Sequence, residues 1–286
     1  MRWPTRTGGL LLALLPILSS TAGAARLDFT LSYQGVLSGA IPVDVAQVSL
    51  GLDPGPGGRA ELEITTAPHA KGDWLYPLRL CYRSFAAPNG GGTAAVNWWS
   101  LAGGRQTQGW IQFDRDHRLA VRVQRERKIA RGSPPFHGRL ADLTPAPGET
   151  LDEDRGQAAN PAQEPALDRL GMLLWLRDQP LAAGLALAPP VLNGLHLTGY
   201  RIQVEAEEQL EWHGAGVPTW RVRLEPQTQG GKEERPLWVW IGRDAARWPL
   251  RFQGHGALGS FELRLIDTDA PALGLCPATT GPSPPP

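Results

Sequence analysis

Residues 168–184, DRLGMLLWLRDQPLAAG, are the one stretch of this chain with a helical pattern. Asp168 is a good N-cap because its carboxylate can accept hydrogen bonds from backbone N–H groups of the first helical turn, which lack partners within the helix. Pro180 cannot continue a helix and biases Gln179 away from the α region. We therefore predict a short helix that begins after Asp168 and ends near Asp178.

The predicted helix has almost no polar face. A surface helix shows a polar stripe, whereas this pattern is typical of a helix that is covered on most sides. In a chain otherwise made of strands, the concave face of a curved sheet is the natural cover. We expect the hollow of such a sheet to be filled by Leu170, Leu173, Leu174 and Trp175.

The rest of the chain shows strand and turn patterns. Apolar residues alternate with polar ones in the first strand, at Leu27, Phe29, Leu31 and Tyr33, and similar runs recur up to Glu126 and from Tyr200 to Ile266. The 34 Gly and 27 Pro indicate many turns. The fold class predicted is mainly β, a curved antiparallel sheet or open half-barrel wrapped around one short helix.

The first 24 residues have the pattern of a secretory signal peptide. Arg2 and Arg6 precede the apolar run Leu10 to Leu18, and small residues at 22–24 offer a cleavage site. The apolar run is shorter than the ~20 residues that a membrane span needs. We therefore expect a periplasmic protein with no transmembrane span after cleavage.

The mature chain is close to electrically neutral. Without the two N-terminal arginines it has 26 basic and 28 acidic residues, a net charge of −2. This balance gives no electrostatic reason to expect a nucleic-acid partner.

One domain is predicted over residues 25–268. Residues 131–164 lose the strand period and fill with Pro, Gly, Asp and Gln, which predicts a flexible insert without secondary structure. Residues 269–286 form a Pro-rich tail that we expect to be disordered. Cys81 and Cys276 leave two alternatives, a disulfide that ties the tail to the domain, or a buried Cys81 with an unpaired Cys276.

Candidate catalytic groups are few. Asp114, Asp116 and His117 could hold a metal or transfer protons, but their position between two strands is typical of a solvated hairpin tip. Glu208 falls on an apolar strand face. It is either a buried acid with a raised pKa, or a bulge in the strand turns it away from that face. The six histidines lack zinc-binding spacing, and no nucleophile elbow or phosphate loop occurs. We expect no enzyme activity, no cofactor and no metal.

Residues 238–241 read WVWI, so both faces of this strand are apolar. Such a strand is covered on both sides, or one face lines a cavity, and a thick aromatic core remains the alternative to a ligand pocket. The candidate ligand-lining residues are Leu170, Leu173, Leu174, Trp175, Trp238 and Trp240.

Three stretches resemble DUF3108, a family of exported bacterial proteins of unknown function. They are Tyr76-Pro77 with Arg83-Ser84; residues 168–177 with Pro180-Leu181 and Gly184; and Trp238 to Ile241 through Asp244 to Trp248-Pro-Leu-Arg251, with Gly259-Ser260 and Leu263. The chain departs from the pattern at Arg169, where such helices often begin with Pro, and in residues 131–164. The resemblance implies a periplasmic open β-barrel similar to the lipoprotein carriers, and it supplies no catalytic residues.

Three functional hypotheses follow. The first is non-enzymatic binding of an apolar ligand, a lipid or acyl chain, in the concave face of the sheet. The second is an envelope scaffold that holds a protein partner through exposed strand edges or the insert. The third is a hydrolase that uses Asp114, Asp116 or Glu208.

Overall fold

The computed structural model describes most of the chain outside its two ends. The residues described are 24–35, 39–53, 57–66, 78–88, 91–114, 118–130, 136, 140–159, 165–193, 196–227, 235–256, 259–268 and 271–276. The predicted signal peptide lies outside them except for its last residue.

The described residues form sixteen strands, one α-helix and one short 3-10 helix. The N-terminal strands are β1 (Ala25–Gly35), β2 (Gly39–Asp53), β3 (Arg59–Thr66), β4 (Leu78–Ala86), β5 (Thr93–Ala102), β6 (Arg105–Phe113), β7 (Leu119–Lys128) and β8 (Thr150–Ala159). The later strands are β9 (Leu167–Asp168), β10 (Ala186–Leu187), β11 (Pro190–Asn193), β12 (His196–Trp212), β13 (Ala215–Gln227), β14 (Leu237–Gly242), β15 (Pro249–Gly256) and β16 (Gly259–Asp267). The 3-10 helix is Leu140–Asp142 and the α-helix, α1, is Arg169–Arg177.

All strands belong to one sheet. Its order is β8-β7-β6-β5-β4-β3-β2-β1-β16-β15-β14-β13-β12-β11-β9, and β10 pairs with β12. Neighbours are antiparallel except β11 and β9. Because β1 pairs with both β2 and β16, it joins the meander β1–β8 to the meander β12–β16. The predicted fold class, mainly β with a curved sheet around one helix, is confirmed.

Helix α1 begins and ends where the sequence predicts. The Asp168 carboxylate accepts hydrogen bonds from the backbone N–H groups of Leu170 (2.9 Å) and Gly171 (3.1 Å), and Asp178 is the C-cap. No helix in the described part of the chain is long and apolar enough to cross a membrane.

The inner face of the sheet, which faces α1, differs between two regions. In β12–β16, which we call the closed half, inner side chains are almost fully buried: Ile202, Val204, Val222, Leu224, Val239, Ile241, Phe252 and Leu265. In β3–β7, which we call the open half, several apolar inner side chains are only half-buried: Leu62, Leu80, Tyr82 and Trp98. The inner face is therefore filled in one half of the sheet, while space remains between α1 and the other half.

The prediction that residues 131–164 contain no secondary structure is wrong for β8. This strand pairs along its whole length with β7. Its residues, TLDEDRGQAA, are polar and mostly exposed, since they form the edge of the sheet, so the apolar alternation that marks a half-buried strand is absent. When one edge and both faces of a strand lie largely in solvent, its sequence has no hydrophobic period that could be detected.

Part of the same segment packs on the outer face of the open half. The Gln108 side-chain oxygen accepts a hydrogen bond from the Leu140 backbone N–H (2.6 Å), and Leu140 is fully buried. Arg127 forms a buried ion pair with Glu149, with Nη2 2.6 Å from a carboxylate oxygen. These contacts cover a face that would otherwise expose polar side chains of β6 and β7.

The prediction of a disordered tail is wrong for residues 271–276. The structure contains a disulfide between Cys81 and Cys276, with Cα atoms 5.1 Å apart, which is one of the two alternatives that the sequence left open. Glu63, on β3, accepts hydrogen bonds from the backbone N–H groups of Leu273 (2.8 Å), Leu275 (2.8 Å) and Cys276 (3.1 Å). A buried carboxylate thus orders a tail that contains no periodic pattern.

Candidate functional site

A cleft of about 490 Å³ lies between α1 and the inner face of the open half. The sheet contributes Leu62, Leu80, Tyr82, Trp98 and Ile111, and the opposite wall is formed by Leu170, Leu173 and Leu192. Its volume falls within the ~300–1,000 Å³ range of small-molecule sites, which are lined mainly by apolar side chains. The cleft is therefore the candidate binding site.

Trp98 owes its position to a missing side chain on the neighbouring strand. Trp98 and Gly109 are cross-strand partners in β5 and β6. A Cβ at Gly109 would lie 2.2 Å from the Trp98 ring, so the indole occupies the space that any other residue at 109 would need. Gly109 thus lets the indole approach the sheet backbone, with the rest of the cleft above it.

Polar side chains interrupt the apolar lining at three positions. Arg122 and Gln124 come from β7, and Arg169 comes from the start of α1. Arg169 is exposed, while Arg122 and Gln124 are half-buried. The cleft therefore combines an apolar interior with cationic and amide donors.

Asp168 joins α1 to the wall of the cleft. It is only 1% exposed, and its carboxylate accepts hydrogen bonds from the hydroxyls of Ser84, Thr93 (2.8 Å) and Tyr82 (3.2 Å) as well as from the helix N–H groups. Thr93 Oγ1 in turn accepts from the Asp168 backbone N–H at 2.9 Å. A buried carboxylate is tolerated when its oxygens are fully hydrogen-bonded, so the N-cap also fixes the helix to β4 and β5.

Gly171 permits this junction because a side chain would not fit. A Cβ at this position would lie 2.5 Å from Thr93 Oγ1 and 2.6 Å from an Asp168 carboxylate oxygen. The sequence gives no sign of this requirement, since a glycine within a helix is more often a neutral or weakening choice.

Tyr82 connects the junction to the cleft. Burial and the adjacent Asp168 carboxylate raise the pKa of the Tyr82 phenol well above 10.0. The phenol therefore stays protonated and donates to Asp168, while its ring lines the cleft.

The other end of α1 is attached to the closed half by two arginines. The Arg177 guanidinium donates to the Ala246 carbonyl (Nη2, 2.7 Å) and lies 4.0 Å from the Trp248 ring centroid. Arg247 donates to the carbonyl oxygens of Arg177 (2.8 Å) and Gln179 (2.5 Å). The helix is therefore fixed at both ends and cannot shift into the cleft without breaking one junction.

The structure separates the predicted ligand-lining residues into three groups. Leu170 and Leu173 line the cleft. Leu174 and Trp175 are not among the residues that line the cleft and pack in the apolar core instead. Trp238 and Trp240 lie on the outer face of the sheet, because Val239 and Ile241 take the inner positions.

The prediction that Trp238 and Trp240 share the helix-lined cavity is therefore wrong. The Trp240 indole donates to Glu208 (2.8 Å) and lies 4.6 Å from the Arg251 guanidinium. The Trp238 indole donates to Glu205 (3.2 Å). Arginines and glutamates thus cover the indoles on the outer face, an arrangement that the apolar pattern of β14 alone cannot distinguish from a cavity.

A bulge explains the apolar-face position of Glu208. The register of β12 against β13 shifts between Val204 and Ala206, which reverses the faces of the residues that follow. Glu208 consequently lies outside, where Arg221 Nη1 approaches it to 2.5 Å. Its place in this ion-pair network is structural.

Asp114, another candidate acid, also has structural contacts. Asp114 accepts hydrogen bonds from the backbone N–H groups of Arg118 (2.7 Å) and Leu119 (3.1 Å), which closes the β6–β7 hairpin. Asp116 and His117 lie outside the described residues, as do Tyr76 and Pro77.

One cluster within the described residues has metal-ligand character but serves another purpose. Glu61, Glu63 and Cys276 lie with ligand atoms within 4.8 Å of one another. The Cys276 sulfur is in the disulfide, and Glu63 binds the tail. Burial alone would raise the pKa of Glu61, but hydrogen bonds from Arg26 and Arg83 outweigh it and lower the pKa below its usual value. These acids are paired with cations of the chain itself.

A protein-family model matches the second part of the chain. The model of DUF3108, a protein of unknown function, matches residues 146–266. The DUF3108 resemblance is confirmed over these residues. The DUF3108 match includes β8, α1 and the closed half, whereas the sheet wall of the cleft, β3–β7, precedes it.

A solved structure shares the fold. The beta-barrel-like protein of domain of unknown function DUF1849 from Brucella abortus is similar with a TM-score of 0.53 and 7% sequence identity, over 87% of this chain and 98% of that chain. No curated protein matches the chain. The likeness to the DUF1849 protein establishes the β-barrel-like architecture alone.

Proposed function

We propose that this protein is an exported, non-enzymatic binding protein of the periplasm that holds one acyl chain in the cleft of the open half. The observation that carries the proposal is the incomplete burial of Leu62, Leu80, Trp98 and Leu173 around a volume of about 490 Å³. These side chains face the interior of the fold, yet the protein's own residues do not bury them completely. An apolar ligand would complete their burial.

The burial of an acyl chain supplies enough free energy for reversible binding. Each buried CH₂ group contributes about 0.8 kcal/mol, which is roughly a fourfold gain in affinity. The cleft has a finite length, so the gain ends when added carbons no longer fit inside. A progressive rise followed by a plateau is the expected pattern for an enclosed chain.

Two features support export. The N-terminal 24 residues have the pattern of a signal peptide, and the disulfide between Cys81 and Cys276 fits an oxidising compartment. The scaffold alternative is less well supported, because the edge strand β8 carries Asp152, Glu153 and Asp154, and charged edges disfavour strand addition.

Binding of fatty acids of increasing length to delipidated protein, measured by titration calorimetry below the micelle concentration, tests the proposal. We expect roughly fourfold tighter binding per added CH₂ until a plateau. Leu173→Trp, which fills the cleft, is expected to weaken binding at least about tenfold. The matched control is Ile266→Trp, since Ile266 is 46% exposed and lies outside the cleft lining. Equal binding by both variants would exclude the cleft as the site.

A further inference from the structure

The charge at the cleft is one-sided. Arg122 and Arg169 are the charged residues among those that line it, and Gln124 adds an amide donor. Asp154, on the edge strand, forms an ion pair with Arg122, and Asp168, which precedes Arg169 in the chain, is buried and engaged by five donors. An apolar interior with cationic donors is complementary to a chain that ends in an anionic group.

One donor group of Arg122 has no hydrogen-bond partner in the described part of the chain. Its Nη2 group donates to Asp154, whose side chain is 62% exposed, while its Nε group is buried and makes no hydrogen bond within the described residues. A buried N–H without a partner destabilises the folded protein. The cross-strand partner of Arg122 is Gly156, so that position of β8 places no side chain against it. A ligand oxygen at this point would provide the missing acceptor.

Arg169 lies at the first position of α1, where a positive charge opposes the helix dipole. The first turn of this helix contains no acidic residue. Its basic residue, Arg169, does not complement the positive partial charge of the helix N-terminus. Helix stability therefore does not account for a cation at this position. Its exposed side chain lines the same cleft as Arg122 and Gln124 and adds a second positive charge there.

We infer that the cleft selects a single acyl or alkyl chain with an anionic head group, a carboxylate or a phosphate monoester, which Arg122 and Arg169 bind. This inference rests on the proposed function and adds to it the chemical class of the head group. It also gives the ligand an orientation: the chain contacts Trp98 and Leu173, and the head group lies at β7 and the start of α1. Both arginines can bind an oxyanion through paired N–H groups.

The experiment compares ligands of equal chain length on the delipidated full mature protein at neutral pH. Dodecanoate and dodecyl phosphate carry the two anionic heads, dodecanol is neutral, and dodecyltrimethylammonium is cationic. We expect both anions to bind at least about fivefold tighter than dodecanol, and the cation to bind weakest. Raising the salt from about 50 mM to about 500 mM should reduce the preference, because exposed charges are screened. The affinities of dodecanoate and dodecyl phosphate, compared with each other, show which of the two anionic head groups the cleft prefers.

Arg169→Gln is the principal variant because this exposed side chain can change without disturbing the core. It should reduce the preference of the cleft for dodecanoate over dodecanol at least about twofold, and Arg122→Gln should do the same. Arg201→Gln is the matched control, since Arg201 is an exposed arginine outside the cleft and should leave the preference unchanged. Equal affinity of the wild type for dodecanoate and dodecanol would overturn the inference and leave the proposed function standing. If neither ligand binds, the proposed function and the inference are both overturned.

Discussion

The open and closed halves of the sheet differ in how fully each face is buried. In the closed half, α1 and neighbouring strands bury the inner face, and the outer face carries half-exposed Arg221, Arg223 and Trp238. In the open half, the outer face is covered by Phe136, residues 140–149 and residues 271–276, while the inner face borders the cleft. The inner face is therefore filled in the closed half and only partly filled in the open half, where Val96 and Ile111 are buried but Leu62 and Trp98 are not.

This difference shows how a sheet can keep an internal cleft and remain stable. A half-filled inner face removes apolar burial from the folded state. In the open half, the disulfide, the Arg127–Glu149 ion pair and the Glu63 contacts stabilise the sheet from outside instead. The strands of the open half can therefore stay ordered around the internal space, because the contacts that stabilise them lie on the outer face.

The largest expected effect concerns the junction that fixes α1 to the open half. Asp168→Ala leaves the hydroxyls of Tyr82, Ser84 and Thr93 and two helix N–H groups without their acceptor. We expect the free energy of unfolding in urea to fall by about 3–5 kcal/mol. Asp178→Ala, at the exposed end of the same helix, should cost less than about 1 kcal/mol. A similar loss for both variants would contradict the assigned role of Asp168.

Leucine truncations compare the two inner faces directly. Leu224→Ala removes a fully buried side chain from the closed half and should cost about 3–4 kcal/mol, because it creates a cavity. Leu62→Ala removes a half-buried side chain at the cleft and should cost about 1–2 kcal/mol. Chemical unfolding measures both. If the two losses are equal, the halves are equally packed and the comparison fails.

Removal of the disulfide tests the outer contacts of the open half. The double variant Cys81→Ser, Cys276→Ser should lose about 2–4 kcal/mol, since the bridge spans 195 residues of sequence. Wild-type protein unfolded with a reductant present should show the same stability as the double variant. A double variant as stable as the oxidised wild type would show that the tail does not stabilise the sheet.

The smallest predicted effect is a pH dependence at Tyr82. Burial and Asp168 raise its pKa in the folded protein well above 10.0, whereas in the unfolded chain it ionises near 10. Above pH ~10 the unfolded state therefore binds fewer protons, and the Tyr82 contribution, complete at lower pH, is lost as pH rises. The slope of unfolding free energy between pH ~9 and ~11 should be shallower in Tyr82→Phe. Parallel slopes would contradict the raised pKa.

The sequence predicts the helix and the sheet well because their signals are local. Asp168 marks the start of α1 and Pro180 marks its end. The alternation of apolar and polar residues marks strands such as β1 that have one face in solvent. The strand β8 was missed because an edge strand with exposed charged residues has no apolar period. The order of residues 271–276 was missed because it depends on Glu63 and Cys81, which are about 200 positions away in the chain.

The site was predicted in part for a related reason. Leu170 and Leu173 follow from the apolar helix, but a two-faced apolar strand does not reveal which face turns inward, so Trp238 and Trp240 were misplaced. Trp98 lines the cleft because Gly109 leaves it room, and that pairing depends on strand register. Arg122 and Arg169 come from elements about 50 residues apart, which only the fold brings to one cleft.

The most direct test of the acyl-chain cleft is quenching of tryptophan fluorescence by a bromine-labelled fatty acid. The ring of Trp98 lines the cleft, whereas Trp240 lies on the outer face under Arg251. We expect a saturable loss of fluorescence in the wild type and in Trp240→Phe, and a clearly smaller loss in Trp98→Phe. The same quenching in all three proteins, or none in the wild type, would contradict a chain bound in the open half.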